Sequence, residues 1–146
     1  MLTVHKTKIM PYSAEQMYNL VNDIDNYHSF IPHCYKSEIV RQDEHEMIGS
    51  MSICVVMVSF TFITKNILEK NKSIRLELEK GPFSDLKGEW QFTSLSQQEC
   101  QVDFDLSFEF NNGFTKKILQ GVFNKFSNEL METFYNRAIK VYGQHH

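Results

Sequence analysis

The sequence predicts an α+β domain in which a strongly curved antiparallel sheet of about seven strands wraps around a long C-terminal helix, with two short helices after the first strand. Two observations predict this class. Large apolar residues recur at every fourth position along 113–142, which indicates a helix of about eight turns with one apolar stripe. Along 36–110, apolar and polar residues alternate, as they do in strands that bury one face. A one-sided sheet and a one-sided helix bury their apolar faces against each other.

The first elements are predicted from strand, capping and proline signals. Residues 2–10 alternate weakly and contain β-branched residues, which indicates a strand. Ser13 and Gln16 have the spacing of a capping box, in which each side chain bonds the backbone N–H of the other residue. The helix that follows is expected to end near Asn22, and a second short helical turn to span 24–30, just before a proline segment.

The middle of the chain is predicted to be a set of antiparallel strands. The clearest alternating residues are Ile74, Leu76 and Leu78; Leu86, Gly88, Trp90 and Phe92; and Val102, Phe104, Leu106, Phe108 and Phe110. Val58, Phe60 and Phe62 alternate more loosely. Turn-forming residues divide the region at 42–46, 69–73, 81–84 and 96–99. A further turn is predicted near Val56-Met57, a segment that lacks Gly, Asn and Pro.

The C-terminal helix is predicted to form one side of an apolar cavity. Its stripe consists of Phe114, Ile118, Val122, Phe126, Leu130, Phe134 and Ala138, with Leu119, Phe123 and Met131 beside them. The segment Asn111-Asn112-Gly113 supplies loop and N-cap residues for its start. Because a curved sheet and a straight helix do not fit each other along their whole length, a gap between them is expected.

Composition and charge limit the classes of function that the protein can have. The 146 residues suffice for a single domain, 1–146, that folds without a metal or a disulfide. A net charge of −3 gives no global attraction to DNA or other nucleic acid. We expect no signal peptide, no integral membrane segment, and buried, reduced thiols at Cys34, Cys54 and Cys100, as in a bacterial cytoplasmic protein.

Four blocks of sequence resemble one known family. They are Gly81-Pro82-Phe83 with Leu86, Gly88, Trp90 and Phe92; Phe62-Ile63-Thr64-Lys65-Asn66; Tyr27, Phe30, Pro32 and Cys34; and Phe134, Arg137-Ala138 and Val141-Tyr142-Gly143. They are similar to motifs of the family that contains RatA-type ribosome-association toxins and mitochondrial coenzyme-Q-binding proteins, a START-like branch of the polyketide cyclase/dehydrase superfamily. The chain departs from the family pattern at His28, at His33, and near Val56-Met57, where a glycine is usual.

The resemblance implies a helix-grip fold with a hydrophobic tunnel. It implies, as one function, a toxin that binds the large ribosomal subunit and blocks subunit joining, and therefore translation. As an alternative it implies a carrier of ubiquinone, or of another isoprenoid or lipid, that supports respiratory electron transport. The two functions are compatible, and neither requires a cofactor for catalysis.

A set of apolar side chains is predicted to line the tunnel and to contact a hydrophobic small molecule. The set is Phe62, Trp90, Phe104, Phe108, Phe126, Leu130 and Phe134. Apolar walls with few polar groups suit an isoprenoid tail. The alternative for each residue is ordinary core packing. Thr64 and Asn66 are polar residues on an inward-facing pattern, and they are expected at the end of a strand rather than deep inside.

Catalytic and metal-binding functions are weighed against simpler explanations. Asp23, Asp25, His28, His33 and Cys34 are close in sequence and suggest either a metal site or a Cys–His nucleophile, but their spacing matches no known zinc pattern. We therefore expect a polar loop edge, with no metal and no catalytic residue. A polyketide-cyclase-type enzyme would need an acid or base inside the cavity, where the inward positions are almost all apolar.

Several cations offer contacts to rRNA phosphates. They are Lys6, Lys8, Lys116, Lys117, Lys125, Arg137 and Lys140. The alternative is that these residues form an ordinary solvated surface, because acidic residues follow the lysines along the helix.

Overall fold

The computed structural model describes residues 1–55 and 57–144, and the elements follow the predicted order. They are β1 Leu2–Met10, α1 Ala14–Val21, a short 3-10 helix Ile24–Ser29, β2 Cys34–Gln42, β3 Glu46–Val55, β4 Val58–Glu69, β5 Ser73–Lys80, β6 Phe83–Ser96, β7 Glu99–Phe110 and α2 Gly113–Tyr142. The predicted α+β helix-grip fold is therefore confirmed.

One antiparallel sheet contains all seven strands, in the spatial order β1-β7-β6-β5-β4-β3-β2. Strands β2 to β7 follow each other as hairpins, whereas β1 returns to pair with β7, with Val4 opposite Leu106. Register irregularities, such as the one between Phe83 and Asp85 in β6, increase the local twist and bend the sheet. Helix α2 packs against β1, β7 and α1.

Helix α1 begins with the predicted capping box. The Ser13 hydroxyl accepts a hydrogen bond from the Gln16 backbone N–H at 3.1 Å, and the Ser13 N–H donates to Gln16 Oε1 at 2.9 Å. Helix α1 and the 3-10 helix together bring Val21, Ile24 and other apolar side chains into the core. Their position matters for function, because they close one side of the space between the sheet and α2.

The apolar stripe of α2 is narrower than the four-residue spacing predicts. Its buried large side chains are Leu119, Phe123, Phe126, Met131 and Phe134. In contrast, 75% of Phe114 and 42% of Ile118 is exposed. Because a helix has 3.6 residues per turn, each step of four residues rotates the side chain by about 40°, so Phe114 lies about 120° around the helix from Phe126. The prediction that Phe114 and Ile118 share the buried face is therefore wrong.

Tyrosine hydroxyls anchor the C-terminal end of α2 to the region around α1. Tyr12 donates a hydrogen bond to the Gly143 carbonyl oxygen at 2.6 Å, and Tyr142 donates to the Gln16 carbonyl oxygen at 2.9 Å. The Tyr12 and Tyr142 rings also lie 5.8 Å apart. These long-range contacts hold the helix at a defined height over the sheet.

The predicted turns at 42–46, 69–73, 81–84 and 96–99 all connect consecutive strands. The predicted turn near Val56-Met57 lies partly outside the described residues, because Val56 is not among them. Met57 is described: its φ is 69°, and 97% of its surface is exposed. A methionine therefore adopts the left-handed conformation that favours glycine.

The prediction of three buried thiols is correct for two of them. Cys34 and Cys100 are buried, whereas Cys54 is exposed, and all three are free. The reason is the two-residue alternation of β3. Ile53 points into the core with 1% exposure, so the next side chain, Cys54, points to the other face.

We expect Phe123→Ala to lower the free energy of unfolding by about 3–5 kcal/mol. The Phe123 ring lies within 4.8–6.2 Å, between ring centroids, of Phe60, Phe62, Phe83, Phe108, Phe110 and Phe126. The matched control is Phe114→Ala on the exposed side of the same helix, which should change stability by less than about 0.5 kcal/mol. Urea denaturation measures both, and similar losses would contradict the buried face assigned to α2.

Candidate functional site

A cavity of about 90 Å³ lies between the concave face of the sheet, α2, and the segment that contains the 3-10 helix. Its walls include side chains from β3 to β7 and from the middle of α2. Of the seven predicted site residues, the structure brings six together in these walls: Phe62, Trp90, Phe104, Phe126, Leu130 and Phe134. Their contact with a ligand remains a prediction.

Phe108, the seventh predicted residue, lies in the core beside the cavity. It is fully buried, and its ring centroid is 4.8 Å from that of Phe123 and 6.3 Å from that of Phe83. It points inward, as its alternation in β7 predicts. Aromatic rings fill the space in front of it, so it is a packing residue at the filled end of the helix–sheet interface.

Aromatic contacts fix the shape of the cavity walls. The Trp90 ring stacks on Phe104 with centroids 4.2 Å apart, and it meets Phe134 edge-on at 5.3 Å. Tyr27 also meets Phe134 edge-on, at 5.6 Å. Because rings in such pairs hold each other in place, these walls form a preorganised apolar surface.

Thr64 and Asn66 lie in the cavity wall, which corrects their predicted position at a strand end. Both are in the middle of β4, with 9% and 4% of their surface exposed. The Thr64 hydroxyl donates to Asn66 Oδ1 at 2.8 Å. Sequence alternation placed them on the inward face correctly. It could not show their depth, because depth depends on how elements distant in sequence pack over the strand.

Two other polar side chains in the wall already have protein partners. The Tyr27 hydroxyl donates to the Val21 carbonyl oxygen, and the Ser127 hydroxyl donates to the Phe123 carbonyl oxygen at 2.8 Å. Burial raises the pKa of Tyr27 far above its ordinary value, so this hydroxyl stays protonated. These groups contribute little polarity to the cavity.

Several wall residues were missed by sequence reasoning. They include Ile24, Tyr27 and Ile31 near the 3-10 helix, and Gly49 and Met51 in β3. Inward alternation could have found Ile74, Leu76, Leu86 and Leu106. No periodic signal could have found the residues near the 3-10 helix, because a short irregular segment has no repeating face.

An outer depression of about 230 Å³ adjoins the cavity. Pro32 and His33 form one side of it, and α2 residues such as Lys125 and Glu129 form the other. Three residues line both spaces: Ile31, Phe126 and Leu130. These three apolar side chains therefore stand between the inner cavity and the surface.

The acidic, histidine and cysteine residues at 23–34 stabilise the loop around the 3-10 helix. Asp25 Oδ1 accepts from the Ile39 N–H at 2.8 Å, and the His28 N–H donates to the Ser37 hydroxyl at 3.1 Å. No group of three or more potential metal ligands of the types His, Cys, Asp and Glu occurs in residues 1–55 and 57–144.

The environment of Cys34 is opposite to that of an activated nucleophile. Burial raises the pKa of its thiol, and Sγ lies 3.5 Å from the Lys36 carbonyl oxygen. A nucleophilic cysteine instead needs a lowered pKa, which favours the reactive thiolate. His33, the histidine next to it in sequence, is exposed and has a φ of 70°.

A long helix held by a seven-stranded antiparallel sheet over an apolar cavity defines a START-like domain of the ligand-binding type. The chain matches the family described as "Polyketide cyclase / dehydrase and lipid transport" over residues 10–134, and it belongs to that family. Within the described residues, no helix is both long and apolar enough to cross a membrane.

Relatives make the assignment more specific. The chain is 39% identical to "Ribosome association toxin RatA" of Escherichia coli over 140 residues, which cover 96% of this chain and 89% of the relative. It is 24% identical to "Coenzyme Q-binding protein COQ10 homolog B, mitochondrial" of Xenopus laevis, covering 95% of this chain and 59% of that one. A START superfamily protein from Mycobacterium smegmatis shares the fold, with a TM-score of 0.75, 20% identity, and coverage of 95% and 98% of the two chains.

We expect Leu76→Phe to leave the free energy of unfolding unchanged or to raise it by up to about 2 kcal/mol, because Leu76 faces the cavity and a larger side chain fills empty space. The matched control is Leu20→Phe, at a position with 3% exposure outside the cavity. Overpacking there should cost about 1–3 kcal/mol. Equal losses in urea denaturation would show that the space beside Leu76 is already filled.

Proposed function

We propose that this chain is a RatA-like protein that associates with the large ribosomal subunit in the bacterial cytoplasm and blocks subunit joining. The observation that carries the proposal is the 39% identity to a ribosome association toxin over nearly the whole of both chains. At this similarity the whole domain is shared rather than one motif. The proposed activity is therefore that of a binding protein, and no catalytic residue is assigned.

The outer face of α2 supplies a surface suited to RNA. Lys116, Lys117 and Lys125 are exposed, and the first acidic residue of the helix is Glu129. The ion pairs found among the described residues involve none of these three lysines. A protein with a net charge of −3 thus carries exposed lysines, unpaired among the described residues, on the solvent side of α2, and these can contact phosphates.

The position of these lysines opposes the helix dipole. Lys116 and Lys117 are among the first five residues of α2, where cations are disfavoured by roughly 0.3–1 kcal/mol each. Phe114 and Ile118, both exposed, flank the pair. Lysines that oppose the dipole do not stabilise the helix, and exposed apolar side chains do not improve solubility. Contact with an RNA partner explains both better, because exposed aromatic rings can stack on unpaired bases.

We expect wild-type protein to sediment with purified large subunits in a sucrose gradient and to reduce their joining with small subunits. The triple variant Lys116→Glu, Lys117→Glu, Lys125→Glu should weaken the association about tenfold or more, and the wild-type affinity should fall steeply as salt rises. The control reverses the same number of charges away from α2, at Lys36, Lys70 and Lys72.

Two results would contradict this proposal at different levels. Sedimentation of wild-type protein apart from the large subunit would remove the ribosomal function. Equal weakening by the α2 variant and the control would keep the function but remove α2 as its surface.

The cavity supports a second proposed function, the binding of a quinone or another apolar molecule. Pockets for drug-sized ligands usually measure about 300–1,000 Å³. At about 90 Å³, the inner cavity holds a ring or a short chain. A longer isoprenoid tail would leave past Ile31, Phe126 and Leu130 into the outer depression, which requires these side chains to move.

We expect organic extraction of purified protein, followed by mass spectrometry, to release an isoprenoid or lipid in stoichiometric amount. Leu76→Phe should reduce the amount severalfold, because it fills the inner cavity, whereas Leu20→Phe should not. Absence of any co-purified apolar molecule, together with no saturable binding of an added short-chain quinone, would remove this function.

A polyketide-cyclase-type activity is the weaker proposal. The described polar groups of the cavity wall are hydroxyls and an amide, contributed by residues such as Thr64, Asn66 and Ser127. Such groups orient a substrate but do not accept a proton as a general base near neutral pH. The wall therefore favours binding over proton-transfer chemistry.

A further inference from the structure

We propose that Thr64 and Asn66 form a polar anchor that binds one uncharged hydrogen-bond acceptor, such as the carbonyl oxygen of a ketone or quinone, on an otherwise apolar ligand. This inference rests on the proposed ligand-binding function of the cavity. It specifies which end of the ligand enters and which chemical group the inner site recognises.

The anchor has more donors than its own hydrogen bond uses. Only 4% of the surface of Asn66 is exposed, and its Oδ1 accepts a hydrogen bond from the Thr64 hydroxyl at 2.8 Å. The Asn66 Nδ2 group has no partner among the described residues, and the residue lines the cavity. If the amide is turned by 180°, one N–H of Asn66 bonds Thr64 and the Thr64 O–H becomes free. In either orientation two donor hydrogens remain for a ligand.

Two other hydroxyls in the wall are not available to bond a ligand's acceptor. The hydroxyls of Tyr27 and Ser127 already donate to backbone carbonyl oxygens. Apart from Ser50, the remaining wall is aromatic or aliphatic, as at Phe62 and Leu76. A ligand that places an acceptor beside these donors gains a hydrogen bond inside an apolar cavity, where such a bond is stronger than in water.

The charge of the wall selects a neutral acceptor. No Lys, Arg or His is among the described residues that line the inner cavity. The neighbouring cation on β4, Lys65, lies on the opposite side of the strand, and its Nζ is 3.3 Å from Glu46 Oε1. A carboxylate would lose its hydration with no cation to compensate, so ketones and quinones are favoured over fatty-acid anions.

The test compares two probes of nearly identical shape, cyclohexanone and methylenecyclohexane, which differ in having C=O or C=CH₂. Both are titrated into ¹⁵N-labelled wild-type protein and followed by NMR. Cyclohexanone should shift the side-chain amide resonances of Asn66, whereas methylenecyclohexane should leave them nearly unchanged. Cyclohexanecarboxylate should bind more weakly than cyclohexanone.

Variants then separate the anchor from general packing. Asn66→Leu should weaken cyclohexanone binding by about 5- to 100-fold and change methylenecyclohexane binding by less than about twofold. Thr64→Val, which keeps the shape of the side chain, should weaken only cyclohexanone, by about two- to tenfold, and remains informative if Asn66→Leu does not fold. The control is Ser52→Ala, which removes another buried hydroxyl, outside the cavity; its Oγ lies 2.6 Å from Thr61 Oγ1.

The outcomes test the Thr64–Asn66 anchor separately from the ligand-binding function of the cavity. If both probes bind wild-type protein but the variants weaken them equally or not at all, the anchor is wrong and the cavity remains a ligand site. If neither probe binds wild-type protein, both the anchor and the proposed ligand-binding function are wrong. Selective loss of cyclohexanone in Asn66→Leu or Thr64→Val, with Ser52→Ala unchanged, supports the anchor.

Discussion

The packing of α2 on the concave face of the sheet is the contact on which the rest of the structure depends. At one end, the rings around Phe123, including Phe83 and Phe108, pack closely against one another. Further along, a straight helix cannot follow the curvature of the sheet, and a cavity of about 90 Å³ remains. The same geometry therefore supplies both stability and a binding space. Hydrogen bonds from Tyr12 and Tyr142 hold the C-terminal end of the helix in place.

The inner and outer faces of α2 carry different kinds of side chains. Its inner face contributes Phe126, Leu130 and Phe134 to apolar walls, whereas its outer face begins with exposed cations that oppose the helix dipole. The two proposed functions, ribosome association and binding of an apolar ligand, consequently use separate surfaces of one helix. They can coexist in one protein. The two surfaces adjoin at the outer depression, which Lys125 lines together with Phe126 and Leu130.

Much of the fold could be predicted from local patterns. The two-residue alternation identified the strands and their turns, and the capping box at Ser13 marked the start of α1. The buried face of α2 could not be predicted from the four-residue spacing alone. Because a turn has 3.6 residues, side chains four residues apart differ in direction by about 40° at each step. Cys54 shows the same limit for strands: composition favours a buried thiol, but the position after Ile53 decides that it points outward.

Alternation and family motifs were enough to predict the fold class, the family and six residues of the cavity wall, because they report which side chains point inward. Only the tertiary structure decided which inward residues face empty space and which face other rings, as the contrast between Phe104 and Phe108 shows. It also decided the depth of Thr64 and Asn66 and brought Ile24, Tyr27 and Ile31 to the wall. The physical reason is that inward direction is a local property of a strand or helix, whereas a cavity depends on the fit between elements that are distant in sequence.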